Sequence, residues 1–204
     1  MIMDYSEQTF NRTRHFLRDQ NLQTIDREFN SQSVSHPSYV SLSFPPKPRD
    51  PYNEVYDGIF IGDQTYSRDK AKLRSLGITH VVNCANGTRP NQINTNSAFF
   101  KDVGIKFMGI QANDVATYNL MPKFKQAAEF IHNALLEGGR VFVHCHMGVS
   151  RSATIVLAYL MLKQNIHLTE AVKILRRRRE ILPNDGFIKQ LASLNYQLFE
   201  VKKS

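Results

Sequence analysis

Arg140-Val141-Phe142-Val143-His144-Cys145-His146-Met147-Gly148-Val149-Ser150-Arg151-Ser152-Ala153-Thr154 is the stretch on which the reading of this chain turns. Its first part is an apolar run with β-branched residues, the pattern of a buried strand. From Ala153 onward, Ile155, Val156, Leu157, Tyr159, Leu160 and Leu162 make a helix apolar nearly all round, which predicts a buried one. Between strand and helix lies a short loop that holds Cys145, Gly148, Ser150, Arg151 and Ser152. A strand that feeds a tight loop and then a helix N-terminus is an anion site: loop amides turn inward and the helix dipole adds partial positive charge. Here the loop also carries a thiol and a guanidinium. Sulfur nucleophile and oxyanion meet in one place, so phosphoryl transfer to cysteine is the chemistry implied.

Only a thiolate attacks. The helix N-terminus, the inward amides and Arg151 all favour that anion at Cys145. Gly148 lets the backbone wrap closely around a phosphate or adopt positive φ. Arg151 can grip two phosphate oxygens at once, which a lysine cannot imitate. The plain alternative for Cys145 is a buried core thiol, the usual fate of an isolated cysteine. The five-residue spacing to Arg151, the strand before and the helix after argue against it. The leaving oxygen needs a proton, and a carboxylic acid on a loop is the usual supplier. Asp114, just past a strand and beside small and polar residues, is the best candidate. Asp57 belongs to a turn, and Asp63 and Asp102 have capping or solvent-exposed readings.

Working outward, the elements alternate. Glu54 to Gly62 reads as a hairpin turning at Asp57-Gly58. A helix follows over Ser67–Leu76, with Gly77 at its C-terminal end. Residues 78–84 are a buried strand, 88–98 a polar loop, and 105–110 another strand. Leu120, Phe124, Ala127, Ala128, Ile131 and Leu135 recur at helical spacing up to Gly138-Gly139. Thr169 is the expected N-cap of the helix carrying Ala171, Val172, Ile174 and Leu175. A last helix starts after Pro183-Asn184-Asp185-Gly186, with Phe187, Leu191, Leu194 and Leu198 on one face. Strands alternating with helices predict an α/β domain with a largely parallel central sheet.

At 204 residues the chain has room for one domain of about 150 residues and an extension. Residues 1–50 are polar and rich in Asn, Gln and Ser, ending in the proline-rich linker Phe44–Pro51; the expectation is a partly ordered tail. Phe10, Arg14, Leu17, Ile25 and Phe29 nevertheless suit one face of a short helix. Residues 51–204 form the expected catalytic domain. No apolar run reaches the ~18 residues of a membrane span, and no secretory pattern opens the chain. The two cysteines, Cys84 and Cys145, fit a reducing intracellular setting, cytoplasmic with nuclear residence open. The net charge of +8 suits acidic or phosphorylated partners. Nucleic acid is a minor option, because RNA-binding aromatic signatures and zinc-finger pairs are missing.

The segments Ala112-Asn113-Asp114, His144 to Thr154 and Leu182 to Phe187 resemble those of the small atypical dual-specificity protein phosphatases, within the cysteine-dependent tyrosine phosphatase superfamily. The likeness covers roughly residues 52–200. It implies a central mixed sheet of about five strands flanked by helices, and a phosphocysteine mechanism without metal or other cofactor. By the same resemblance Cys145 attacks phosphorus, and Asp114 protonates the leaving oxygen and later activates water. Ser152 helps the thiolate leave, His144 orients and tunes Cys145, and His146, Met147, Gly148, Val149, Ser150 and Arg151 hold the phosphate. Asn184 matches a buttress of the loop. Arg179, in the run Arg176 to Arg179, matches a residue that binds a second phosphate. In some superfamily members a cysteine placed like Cys84 forms a reversible disulfide with the nucleophile.

No separate phosphotyrosine-recognition segment is seen, so a shallow cleft and dual specificity are expected on phosphorylated proteins. Val149 stands where some relatives carry an aromatic residue, which leaves that wall lower. A phosphoinositide phosphatase on the same scaffold would typically place lysines in the loop, where His146, Met147 and Val149 stand instead. A non-catalytic phosphoprotein-binding module would be expected to lack the nucleophile or the arginine, and both are present. An RNA 5′-phosphatase fits the basic charge and has no other support.

Overall fold

A computed structural model describes residues 5–18 and 48–201. Five strands form one sheet: β1 (Tyr52–Tyr56), β2 (Ile59–Gly62), β3 (His80–Asn83), β4 (Lys106–Gly109) and β5 (Val141–His144). Their spatial order is β1-β2-β5-β3-β4. Among the strand pairings of the described residues only the β1–β2 hairpin is antiparallel; the pairings β2–β5, β5–β3 and β3–β4 are all parallel. The mostly parallel mixed sheet expected from the alternation is therefore present. Gly58, at φ 69°, supplies the left-handed turn of the hairpin.

The helices are α1 (Tyr5–Arg18), α2 (Lys70–Ser75), α3 (Ser97–Phe100), α4 (Phe124–Leu136), α5 (Arg151–Gln164), α6 (Leu168–Arg176) and α7 (Asp185–Phe199). Side chains alternate across the sheet with period two. Ile59, Ile61, Val82, Val141 and Val143 join the large core built with α4, α5, α6 and α7. Phe60, Val81 and Phe142 face the other way, onto Leu73, Ile78, Phe100 and Ile105. Helix α5 is buried from Arg151 to Met161, as its all-round apolar sequence requires.

Several element boundaries differ from those the sequence pattern suggests, three helix starts among them. Helix α2 starts later, because the Asp69 carboxylate caps it by accepting from the Lys72 amide at 2.8 Å. Thr169 is inside α6 and is not its N-cap. That position belongs to His167, and the Leu168 amide donates to the Asn195 side chain of α7 at 2.8 Å, so a distant partner replaces the local cap. Helix α7 begins at Asp185, capped by Asn184, whose side-chain oxygen accepts from the Phe187 amide at 3.0 Å.

Near the N-terminus, α1 lies against α6 and α7. Phe10, Phe16 and the buried Leu17 join the core. Arg14 and Arg18 pair with Asp185 at 3.2 and 3.6 Å, and Arg176 donates to the Leu17 carbonyl. Ile25 and Phe29 lie outside the described residues. Among the described residues no helix is long and apolar enough to cross a membrane.

The parallel register aligns Gly62, His144 and Asn83 at the carboxyl ends of three adjacent strands. The central strand β5 thus delivers Cys145 to the edge where open α/β sheets place their ligands.

Candidate active site

The loop from Cys145 to Ser150 is shaped by where its carbonyls go. The His146 carbonyl accepts from the Gln64 amide at 3.1 Å, Val149 from the Leu182 amide at 3.0 Å, and Ser150 from the Thr154 hydroxyl at 2.9 Å. The Gly148 carbonyl accepts from Arg179 Nε at 2.8 Å. With the carbonyls drawn outward, the amides face the opposite side. Among the described residues those of His146, Met147, Val149 and Ser150 donate to no protein acceptor. A ring of loop amides without a protein partner is what a bound oxyanion satisfies. Gly148 adopts φ 65°, and a Cβ there would lie 2.5 Å from Arg179 Nη2 and 2.6 Å from the Gly62 carbonyl. Only glycine fits.

Cys145 lies at the floor with 1% of its surface exposed. Its Sγ accepts from the Gly148 amide at 3.2 Å and lies 3.3 Å from the Ser152 hydroxyl. Arg151 is held beside it: Nη1 donates to the carbonyls of Asn91 and Ala112, both at 3.2 Å. Its Nε lies 3.4 Å from Asp114 Oδ2, an ion pair without hydrogen-bond alignment. The Asp114 Oδ1 atom accepts from the Ser150 hydroxyl at 2.6 Å and from Asn184 Nδ2 at 2.9 Å. The structure therefore brings Cys145, Arg151, Ser152, Ser150, Asp114 and Asn184 into one cluster.

His144 is fully buried, and burial pushes its pKa down to about 3. Its ring is neutral at physiological pH and lends Cys145 no charge. Among the described residues neither ring nitrogen makes a well-formed hydrogen bond; the approach to the Cys145 backbone is loose. Cys84 follows the Asn83–His144 pairing on the neighbouring strand, next to Cys145. Both cysteines are free thiols. Burial pushes the Cys84 thiol well up, the Cys145 charge adds to this, and Arg151 opposes it.

Arg179 does not face the open side. It is 3% exposed. Beside Gly148, it donates through Nη1 to the Asp50 carbonyl at 3.0 Å and to Asn53 Oδ1 at 2.7 Å, with a longer approach of Nη2 to the Met147 carbonyl at 3.5 Å. A second phosphate would have to displace these bonds. The arginine run divides around the helix end: Arg176 and Arg179 are buried, and Arg177 and Arg178 are exposed.

Asp114 owes its place to α7. Gln190 Oε1 accepts from the amides of Leu120 and Met121 at 2.7 and 2.9 Å, and its Nε2 donates to the Tyr118 carbonyl at 2.8 Å. A Cβ on Gly186 would fall 1.9 Å from the Ala116 carbonyl, so the loop after Asp114 seats directly on that glycine. Sequence reasoning missed Gln190 and the Ser150–Asp114 bond. The turn signal at Pro183 to Gly186 marked the position of Asn184 and Gly186 without revealing their contacts.

Residues 59–197 match the family model "Dual specificity phosphatase, catalytic domain". The chain belongs to this family. As a dual specificity phosphatase it is a protein phosphatase that works through a phosphocysteine intermediate. It is 42% identical to human dual specificity protein phosphatase 26 over 147 residues, 72% of this chain and 68% of that protein. Among solved structures it is similar to human tyrosine phosphatase-like serine/threonine/tyrosine-interacting protein, with 28% identity and a TM-score of 0.62 over 72% of this chain and 96% of that one. Human DUSP28 shares the fold, with 24% identity and a TM-score of 0.63 over 73% of this chain and 95% of that one.

Proposed function

We propose that Cys145 is the nucleophile of this phosphatase, Arg151 its phosphate clamp and Asp114 its acid and base. The observation that carries this is the thiol at the floor of the loop, with the Gly148 amide and Ser152 hydroxyl on its sulfur and Asp114 across the guanidinium of Arg151. In the first step Sγ bonds to phosphorus while the bond to the substrate oxygen breaks, and Asp114 gives that oxygen its proton. In the second, Asp114 takes a proton from water, the new oxygen bonds to phosphorus and the S–P bond breaks. Ser152 stabilises the departing thiolate. The amides of residues 146–151 and Arg151 follow the equatorial oxygens through both transition states. His144 packs beneath the nucleophile as a neutral ring.

The substrates we propose are phosphorylated tyrosine and phosphorylated serine or threonine in proteins. The loop carries no lysine to meet the extra phosphates of an inositol headgroup. Nor does the likeness to a tyrosine phosphatase-like interacting protein favour a mute binding module here, since Cys145 and Arg151 are both in place. The catalytic unit is residues 51–204, with residues 1–50 as an extension that contains α1. A reducing cytoplasmic setting, with nuclear residence open, suits its two free thiols.

Purified protein assayed on phosphotyrosine and phosphothreonine peptides, a phosphoinositide panel and triphosphorylated RNA separates the readings. Turnover of the peptides is expected. Cys145→Ser should abolish it, and Asp114→Asn should lower it by about 10²- to 10⁴-fold. Full activity in either variant refutes the mechanism, and preference for the lipid panel refutes the substrate.

A further inference from the structure

Asp114 has a half-open side chain, 33% exposed. A general acid contributes its full effect only when its proton is held in line with the leaving oxygen. What orients this carboxyl is a closed ring of hydrogen bonds. The Ser150 hydroxyl donates to Oδ1 at 2.6 Å, Asn184 Nδ2 donates to the same oxygen at 2.9 Å, and the Asn184 amide donates to the Ser150 hydroxyl at 3.3 Å. Oδ2 is left on the Arg151 side, 3.4 Å from Nε. Arg151 is the group that grips phosphate, so Oδ2 is the oxygen that faces the reacting centre.

We propose that Ser150 and Asn184 are positioning residues for the general acid: together they occupy Oδ1 of Asp114, so that Oδ2 carries the proton. This rests on the reading of Asp114 as the acid. It moves Ser150 from phosphate ligand to acid holder, and Asn184 from loop buttress to the link between loop and acid. As the proton leaves Oδ2 for the substrate oxygen, the negative charge appearing on the carboxylate is met at Oδ1 by two donors already in place. In the hydrolytic step Oδ2 receives the proton from water, and the same two donors keep it aimed. The side chain of Asn184 serves both ends: Oδ1 caps α7 at the Phe187 amide and Nδ2 holds the acid. The acid's loop is pinned to the same helix by Gly186 and Gln190, so Asn184 and Asp114 move as one body.

The test uses Ser150→Ala and Asn184→Ser in the full chain; serine keeps an oxygen to cap α7 and loses the amide donor. Each variant is assayed by kcat/KM, which reports formation of the phosphocysteine and not its hydrolysis, on a phosphothreonine peptide, whose alkoxide leaves only with a proton, and on 4-nitrophenyl phosphate, whose phenolate leaves without one. About a ten-fold or greater loss is expected on the peptide and less than about three-fold on the nitrophenyl ester, as a lost share of general-acid catalysis dictates. In an Asp114→Asn background, Ser150→Ala should cost almost nothing further on the peptide, because the two act as a unit. Equal losses on both substrates, or full additivity in the double variant, overturn the proposal alone. An Asp114→Asn variant with no preference for the better leaving group overturns the assignment of the acid and this proposal with it.

Discussion

Arg179→Ala separates two readings of one residue. The resemblance assigns Arg179 to a second phosphate, whereas its surroundings are those of a clamp behind the loop. The alanine loses three hydrogen bonds of 3.0 Å or less, to the Gly148 carbonyl, the Asp50 carbonyl and Asn53 Oδ1. A bond from a charged donor is worth about 1.5–3 kcal/mol. Burial works against the guanidinium, lowering its pKa, so part of that gain is offset by desolvation. A net loss of about 2–4 kcal/mol follows, and at ~2–4 °C per kcal/mol for a chain of this size the melting temperature falls by roughly 4–16 °C. Freeing the Gly148 carbonyl also frees the Gly148 amide that lies on Cys145 Sγ. The turnover number should therefore drop by about ten-fold or more, and alike on singly and doubly phosphorylated peptides. Arg179→Lys should fare little better, since an ammonium cannot span Gly148 on one side and Asn53 on the other. Calorimetry with steady-state kinetics on both peptides measures all of this. An unchanged melting temperature, with KM raised only for the doubly phosphorylated peptide, would refute the clamp and restore the second-phosphate role.

Acid should destabilise the fold through His144. Its folded pKa is about 3 against about 6.5 unfolded, so between these values the unfolded chain binds a proton the folded one refuses. Stability is full above pH 6.5 and falls as pH drops, by about 2 kcal/mol at pH 5, and His144→Asn should remove that share; urea titrations of both proteins with the same pH slope would contradict it. At Cys84 we expect mild peroxide to convert Cys145 to a sulfenic acid, which condenses with the Cys84 thiol to a disulfide and water. Mass mapping that finds only sulfinic or sulfonic Cys145 excludes the pairing.

The inner strands β2, β3 and β5 were legible because they are short, mostly apolar runs bounded by glycines and turns and buried on both faces. The neighbourhood of Cys145, Arg151 and Ser152 was legible because all three lie within eight consecutive residues. Asp114 could be singled out as a carboxylate past a strand, but its partners could not, since Ser150 and Asn184 lie 36 and 70 positions away in the chain. Thr169 failed as a cap for a similar reason: Asn195 satisfies the Leu168 amide from another helix, and no local pattern records that.

The arginine run carries the same lesson in its geometry. Four consecutive arginines cannot share one face of a helix, so the sequence alone reads first as a solvated helix end, where cations offset the dipole, with a ligand patch as the alternative. The backbone leaves α6 at Arg176, and the turn that follows sends Arg179 back under the phosphate loop while Arg176 grips the carbonyl end of α1. One short segment thus fastens two neighbours, the N-terminal helix on one side and the catalytic loop on the other. Helix α1 in turn reaches Asp185 through Arg14 and Arg18. Asp185 follows Asn184, which holds Asp114. The extension and the acid are therefore tied to the same helix start, although α1 lies outside the matched catalytic domain and some 100 residues before the acid in the chain.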